Sequence, residues 1–248
     1  MTKITPLRQR IRKGIIFGVF LLFPIIINYL SPYLIIAGAS EGIVNGSLIM
    51  FGLMFISSLV VGRAWCAWVC PGGGLGEIFF PVNNKPVNRR RADWVKWLIW
   101  FPWLATIILA AVSAGGYKRM DFFYMTESGI SITEPQNYVI YLAVVGIFVI
   151  LALTVGRRGA CHTICWMAPF MILGRKLRNL LPWPALRLQA HASTCTDCLT
   201  CNTNCPMSLD VNGMVKVEQM EHSECILCLS CVDNCPSRAI RQVFKAGK

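Results

Sequence analysis

Residues 195–206 read CTDCLTCNTNCP, and residues 225–236 repeat the pattern as CILCLSCVDNCP. In both segments the cysteines follow the spacing Cys-x2-Cys-x2-Cys-x3-Cys, and a proline comes directly after the fourth cysteine. The short spacing lets the first three sulfur atoms of a segment face one small volume. The fourth sulfur of a four-thiolate centre must then come from elsewhere in the chain.

This spacing is that of bacterial ferredoxins, in which the fourth cysteine of each motif binds the other [4Fe–4S] cluster. A disulfide knot or a zinc ribbon is the alternative. Zinc sites rarely carry three cysteines at this spacing, and they have no need of a Cys-Pro pair in both copies. We therefore predict two clusters, whose ligands are the cluster-1 cysteines, Cys195, Cys198, Cys201 and Cys235, and the cluster-2 cysteines, Cys225, Cys228, Cys231 and Cys205.

The rest of the chain is too apolar for an ordinary soluble domain. Its 248 residues are 55% hydrophobic and only 15% charged, with a mean hydropathy of +0.54. Four apolar runs each have close to the roughly 20 residues that an α-helix needs to cross a bilayer, namely residues 14–39, 43–61, 94–114 and 138–155. We predict a mainly α protein, with a four-helix transmembrane domain in residues 1–186 and a small α+β ferredoxin-like domain in residues 187–248. Pro24 and Pro32 should kink the first helix.

Basic residues set the expected orientation. They concentrate in the head, in the connection after the second run and in the segment after the fourth run, and they include Lys3, Arg8, Arg63, Arg89, Arg90, Arg91, Arg157, Arg158, Arg175 and Arg178. The positive-inside rule then places both termini in the cytoplasm of a prokaryotic cell, on the inner side of its membrane. Residues 170–190 alternate apolar and basic side chains, which predicts an amphipathic segment on the inner membrane surface.

A second repeat lies inside the apolar part. Val61-Gly-Arg is followed by Cys66 and Cys70, and Val155-Gly-Arg is followed by Cys161 and Cys165. Both pairs have the spacing Cys-x3-Cys, which puts two sulfur atoms on one face if the segment is helical. The repeat predicts a duplicated helix hairpin with four thiols at one depth.

Three interpretations of these four thiols stay open: a third metal centre, either iron–sulfur or Cu(I); a redox-active dithiol; or buried, inert cysteines. His162, between Cys161 and Cys165, is a candidate metal ligand or proton relay, or an ordinary hydrogen-bonded histidine. Residues 72–74, three glycines, favour a flexible turn close to Cys70.

Taken in order, these features resemble the NapH-type family of ferredoxin-like polytopic membrane proteins, which shares its core with NosR and CcoG. The resemblance covers nearly the whole chain. It implies an electron-transfer subunit of an oxidoreductase complex, associated with quinol oxidation, rather than a stand-alone enzyme.

The function predicted first is electron transfer between a cytoplasmic redox partner and membrane quinone or a partner reductase. The alternatives are a cluster-dependent copper reductase and a redox assembly or sensor factor. Expected partners are membrane lipid, other redox subunits and, as a candidate, quinone. Asp121, Glu127 and Glu134 lie among aromatic residues and could accept quinol protons, although such aromatics also anchor helices at the interface. No nucleic-acid partner is expected, because no soluble basic face with aromatic readers is present.

Overall fold

The computed structural model describes residues 6–181 and 183–247. Lys3 of the predicted basic head and Pro182 of the predicted amphipathic segment lie outside the described residues. For Arg89, Arg90 and Arg91 only the helical backbone is described.

The first apolar run is broken where its prolines predict a kink. It forms α1 (Leu7–Leu21), α2 (Phe23–Ile26), a 3₁₀ turn (Ile27–Leu30) and α3 (Pro32–Ser40). Both prolines stand in the first turn of a short helix, where the missing amide hydrogen costs no intrahelical bond. The chain bends by 61° between α1 and the segment ending at Leu30.

Three further long helices follow: α4 (Gly46–Val61), α7 (Arg89–Ser113) and α8 (Asn137–Thr154). Among the described residues, two segments are long and apolar enough to cross a membrane, residues 92–113 and 137–154, and the bent first segment would be a third. The 16 residues of α4 extend about 24 Å, short of the roughly 30 Å of hydrocarbon. The mainly helical class is confirmed, whereas the prediction of four membrane spans is not.

The membrane part has two distinct ends. At one end β1 (Ile43–Asn45) pairs in parallel with β2 (Arg119–Asp121), which ties the start of α4 to the end of α7. At the other end α4 leads into α5 (Ala64–Trp68) and α6 (Pro71–Ile78), and α8 leads into α9 (Gly159–Thr163). Since α6 and α9 pack on each other, the two Cys-x3-Cys motifs lie at the same end.

The three glycines at 72–74 are not a flexible turn, so that prediction is wrong. They belong to α6, where the absence of side chains allows close packing. A Cβ atom on Gly72 would lie 2.5 Å from the ring of Phe148, and one on Gly74 would lie 2.7 Å from the carbonyl oxygen of Ile16. The glycines therefore let helices approach closely beside Cys70, as predicted, but from within a helix.

The ferredoxin part is closed by a two-stranded antiparallel sheet. Strand β3 (Ala185–Ala190) pairs with β4 (Ile240–Lys245), with Ala185 opposite Lys245 and Ala190 opposite Ile240. Between the strands lie three short helices, α11 (Thr200–Thr203), α12 (Val211–Lys216) and α13 (Ser230–Asp233). The first and last of these helices begin at the same position of the two cysteine motifs, as the repeat in the sequence requires.

Helix α10 (Met167–Leu180) joins the two parts. It packs against α4, and it buries Arg175 and Arg178. These two arginines and Arg187 surround Glu221 of the ferredoxin part, at N–O distances of 2.7, 3.3 and 3.3 Å. The basic face of the predicted surface segment is thus directed at the ferredoxin part.

Candidate metal centres

The cluster-2 cysteines line one small apolar cavity together with Met207, Leu209 and Ile226. They come from both motifs, as the cross-motif assignment predicts. Cys205, Cys228 and Cys231 are buried and Cys225 is half-buried. Burial, and then the neighbouring Cys228, raises the pKa of Cys205 to about 12. The set therefore lies in a dry environment, where thiolates are stable only beside a compensating cation.

The cluster-1 cysteines line a second cavity, again with one ligand contributed by the other motif. This set is closer to solvent, because Cys198 is exposed while Cys195 and Cys235 are half-buried. Hydrogen bonds from Thr200 lower the pKa of Cys198. Cluster 1 would therefore be open to water on the side of Cys198.

Matching backbone geometry shapes both cavities. The N–H of Leu209 donates to Cys205 Sγ at 3.4 Å, and the N–H of Ala239 donates to Cys235 Sγ at 3.3 Å. Each donor lies four residues beyond the sulfur that it binds. Hydrogen bonds to ligand sulfurs are one of the means by which a protein sets the potential of an iron–sulfur cluster.

Cys66, Cys70, Cys161 and Cys165 form a third set, here called the four-thiol site. All four are buried. Burial, followed by the influence of the other three thiols, raises the pKa of Cys70 well above its usual value. Burial, followed by Cys161 and Cys66, raises the pKa of Cys165 to about 12. The duplicated motifs therefore do bring their thiols together.

The four thiols reach this site by a route that differs from the prediction. Cys66 lies in α5, but Cys70 follows the end of that helix and caps α6. Cys161 lies in α9, and Cys165 comes after its end. Neither pair occupies one face of one helix, so the convergence depends on the short turns between helices.

Buried charges surround the four-thiol site. Arg158 donates from Nη1 to the carbonyl oxygen of Cys66 at 2.7 Å and from Nη2 to Glu77 at 2.5 Å. Arg12 also binds Glu77, at 2.6 Å. Burial alone would raise the pKa of Glu77, but the two arginines outweigh it and lower the pKa.

A second buried network links this site to residues 223–230, here called the cluster-2 loop. Glu224, next to Cys225, accepts from Arg63 at 2.6 Å and lies 2.7 Å from Lys96 Nζ. Burial would raise the pKa of Glu224, yet the two cations lower it to about 2. Arg63 is the arginine of the first Val-Gly-Arg motif. Arg157, its counterpart in the second motif, donates to the carbonyl oxygen of Cys205 at 3.3 Å.

These arginines, predicted as topology signals, hold the two parts of the chain together. The recurrence of Val-Gly-Arg was the available sequence signal for this role. Nothing in the sequence singled out Lys96 as a partner.

His162 is fully buried, and its Nδ1 lies 2.6 Å from Asp93 Oδ1. The candidate ligand atoms of Asp93, His162 and Glu224 all lie within 4.8 Å of one another. Lys96 Nζ, however, is 2.7 Å from Glu224 and 3.6 Å from Asp93. The ammonium group already supplies the cation, so we describe this group as a charge network rather than a metal site.

A cavity of about 670 Å³ lies in the membrane part. Its walls are mostly apolar and include Phe23, Leu30, Val144 and Phe148. At one end it is lined by Pro71 and Trp166, the chain neighbours of Cys70 and Cys165. Its polar groups are Asn28, Ser31, Ser131, Asn137, Tyr33 and Tyr141. No sequence pattern predicted this cavity, and the predicted carboxylates Asp121, Glu127 and Glu134 are not among its lining residues.

Two ferredoxin motifs with interleaved cysteines, joined to helices able to cross a membrane, define an iron–sulfur electron-transfer protein of the ferredoxin type. Comparison with known families agrees with this class. Residues 46–90 match the family model described as a 4Fe-4S binding domain. Residues 187–241 match the one described as a 4Fe-4S dicluster domain. The first match contains Cys66 and Cys70, and the second contains all eight ferredoxin cysteines.

One of the relatives that the chain resembles is named as an electron transport protein. The chain is 24% identical over 212 residues to the Escherichia coli K12 protein named "Putative electron transport protein YccM", covering 76% of this chain and 54% of that protein. It is 25% identical over 204 residues to protein RdxA of Cereibacter sphaeroides, covering 68% and 40%. It is 21% identical over 199 residues to the uncharacterized protein MJ0749 of Methanocaldococcus jannaschii, covering 76% and 71%.

The chain thus spans about half the length of the first two relatives. No solved structure matches it.

Proposed function

We propose that the chain is a NapH-type membrane subunit that carries electrons between a soluble redox partner and quinone, or a partner reductase, at the membrane. The observation that carries this proposal is that Pro71 and Trp166, the chain neighbours of Cys70 and Cys165, line the large cavity. The ferredoxin motifs, the four-thiol site and the apolar cavity then follow one another from the soluble part of the chain into the membrane part. Other redox subunits and membrane lipid would complete the working complex.

In this proposal the eight ferredoxin cysteines hold two [4Fe–4S] clusters in the cross-motif arrangement. Bound clusters supply reversible one-electron storage. The residues of the chain provide the thiolates, keep water from Cys228 and Cys231, and donate backbone N–H groups to Cys205 and Cys235. Two cavities, each lined by one complete ligand set, support the assignment.

The four-thiol site suits an iron–sulfur centre better than a single ion. A tetrahedral ion bound at about 2.3 Å needs thiolate sulfurs about 3.8 Å apart. Within residues 6–181 and 183–247, no set of three cysteines has its sulfur atoms all within 4.8 Å of one another. The predicted ferredoxin sets share this wider spacing, as expected for sulfurs that surround several iron atoms.

The cavity suits a quinone. Its volume of about 670 Å³ lies inside the usual range of ligand pockets, about 300–1,000 Å³. Apolar walls fit an isoprenoid chain, and the indole N–H of Trp166, buried without a hydrogen-bond partner among the described residues, could donate to a ring carbonyl. A quinone ring at the end near Trp166 would lie beside the four-thiol site.

We place the boundary of the ferredoxin domain near Leu186, at the start of β3, and both termini in the cytoplasm of a prokaryotic cell. The basic head and the reducing conditions that keep thiols free for iron support this orientation.

Copper reduction is the second candidate function. One observation favours it: Cys66 Sγ lies 3.9 Å from Met171 Sδ, so the site offers a thioether next to its thiols. Soft sulfur ligands of both kinds are typical of Cu(I) sites.

Metal analysis after anaerobic purification tests both functions. The electron-transfer proposal expects about twelve iron atoms per chain, falling to about eight in Cys66→Ser. Copper handling expects about eight iron atoms plus copper in the wild type, and loss of the copper in Met171→Leu. Eight iron atoms without copper in the wild-type protein would refute a metal centre at the four-thiol site.

A further inference from the structure

The two cysteine motifs have the same backbone but opposite surroundings. Asp197 and Leu227 occupy equivalent positions with φ of 52° and 50°, and Leu199 and Leu229 do so with φ of 54° and 64°. Leu229 is 5% exposed, whereas Leu199 is 50% exposed. Leu227 is buried at 1%, and its counterpart is the exposed, charged Asp197.

The membrane part covers the cluster-2 loop. Its carbonyl groups accept hydrogen bonds from four side chains of that part: Arg63 to Ser223 at 3.3 Å, Arg175 to Cys225 at 2.6 Å, Trp68 to Leu227 at 3.4 Å and Gln9 to Cys228 at 2.9 Å. Leu227 also packs at Gly62, where an added Cβ atom would be only 3.1 Å from its Cδ1 atom. Cluster 2 therefore faces the four-thiol site.

The equivalent loop around Cys198 has no such cover. Asp197 pairs with Lys216 at 3.1 Å and with Asn212 at 3.0 Å, both inside the ferredoxin part. Thr196, Cys198 and Leu199 are exposed. Among the hydrogen bonds of the described residues, those of the 195–201 segment stay within this part of the chain.

We propose that residues 194–200, the cluster-1 loop, form the docking surface for a soluble one-electron redox protein, with cluster 2 as the inner relay to the membrane. This proposal rests on the proposed function. The cover on the cluster-2 loop shows that this type of loop is suited to protein contact through its apolar tip and backbone carbonyls. An exposed leucine beside an exposed ligand gives the small contact area typical of transient redox encounters.

The charge of the rim indicates the kind of partner. Asp197 lies in the loop and pairs with Lys216. Two further carboxylates bind residues just outside its two ends: Glu218 accepts from the N–H of Ala192, and Asp210 accepts from the side chain of Asn202. The rim thus has three acids and one base. Arg238, exposed beyond Cys235, reduces the acidic surplus without reversing it. The chain as a whole has a net charge of +12, so this acidic rim is a local exception. It favours a partner with a basic face around its redox centre.

Cytochrome c, a basic soluble one-electron carrier, is a suitable probe. The full chain in nanodiscs is reduced, freed of reductant and mixed with oxidised cytochrome c. One electron leaves the centre held by the cluster-1 cysteines and reduces the haem iron from Fe(III) to Fe(II). No bond is formed or broken, and no proton is transferred. Hydrogen exchange of residues 194–200, measured with and without cytochrome c, reports binding independently of electron transfer.

Leu199→Arg is expected to slow cytochrome c reduction about tenfold and to abolish the exchange protection, because it places a cation at the contact. Phe244→Arg is the matched control, since Phe244 is 64% exposed on β4 of the same domain. Tris(acetylacetonato)cobalt(III), a small uncharged one-electron oxidant, should react with both variants as fast as with the wild type. Asp197→Asn should reduce the salt dependence of the cytochrome c reaction.

Equal slowing by both variants, no slowing by Leu199→Arg, or protection confined to other segments would overturn the docking surface. A reduced chain that transfers no electron to the small oxidant would instead contradict the electron-transfer function itself.

Discussion

Glu224 holds the ferredoxin part on the membrane part, and Glu224→Gln tests this directly. Its carboxylate is 5% exposed, and its two partners, Arg63 and Lys96, are fully buried. The substitution keeps the shape of the side chain but removes the negative charge between two cations. Removing one partner of a buried ion pair costs about 3–5 kcal/mol, because the remaining charge is left without compensation.

We take the lower value, about 3 kcal/mol, because the amide oxygen of glutamine can still accept a hydrogen bond. This corresponds to an increase of about 150-fold in the equilibrium constant for opening of the interface. Hydrogen exchange of residues 224–232 should accelerate accordingly, as long as local opening governs the exchange of these amides. Exchange in α8, which contains neither of the two cations that pair with Glu224, should stay unchanged.

Two further variants make the result specific. Glu218→Gln removes an exposed carboxylate that accepts one backbone hydrogen bond, from Ala192, and should change the exchange of residues 224–232 by less than about threefold. Lys96→Met combined with Glu224→Gln removes one of the two cations that face Glu224, so the double variant should be less labile than the sum of the single effects. Exchange within about threefold of the wild type in Glu224→Gln would refute the reasoning, since the ion pairs would then contribute nothing to the interface.

Three other predictions concern the backbone, the cavity and the topology. Gly156→Ala should lower the melting temperature in detergent by at least about 4 °C, because Gly156 has φ +115° and an added Cβ atom would lie 2.5 Å from the carbonyl oxygen of Lys85. Gly146→Ala is the control and should not lower the melting temperature, because the space around Gly146 is open. Val144→Trp should weaken binding of decylubiquinone about tenfold, because the larger side chain would fill the cavity. Val139→Trp should leave the affinity unchanged, since Val139 is 69% exposed and lies outside the cavity. Equal affinities in the two variants would show that the cavity is not the quinone site. A C-terminal green fluorescent protein fusion should fluoresce and a C-terminal alkaline phosphatase fusion should be inactive, and the reverse pattern would place the C-terminus outside the cytoplasm.

The cysteine spacing was enough to predict the ferredoxin part, because ligand geometry constrains neighbouring residues along the chain. Three sulfurs at short spacing can converge only in a tight loop, and the fourth must then come from the partner motif. The same local logic predicted the breaks at Pro24 and Pro32, where the constraint lies in the proline ring itself. Hydropathy predicted apolar helices, but it could not decide whether α4 is long enough to span a membrane.

The tertiary structure decided which groups, far apart in the sequence, lie opposite the basic side chains. Arg63, Arg157 and Arg175 look like ordinary positive-inside residues in the sequence, because residue type alone does not show which carboxylate or carbonyl group will lie opposite. The fold brings them to Glu224, to Cys205 and to Glu221, where burial makes each contact energetically important.

Likewise, the two cysteine motifs have the same cysteine spacing and differ at five of their twelve positions, yet one is covered and the other exposed. That difference arises only when helices from distant parts of the chain pack around Leu227 and Leu229, because solvent exposure is a property of the assembled fold and not of a motif.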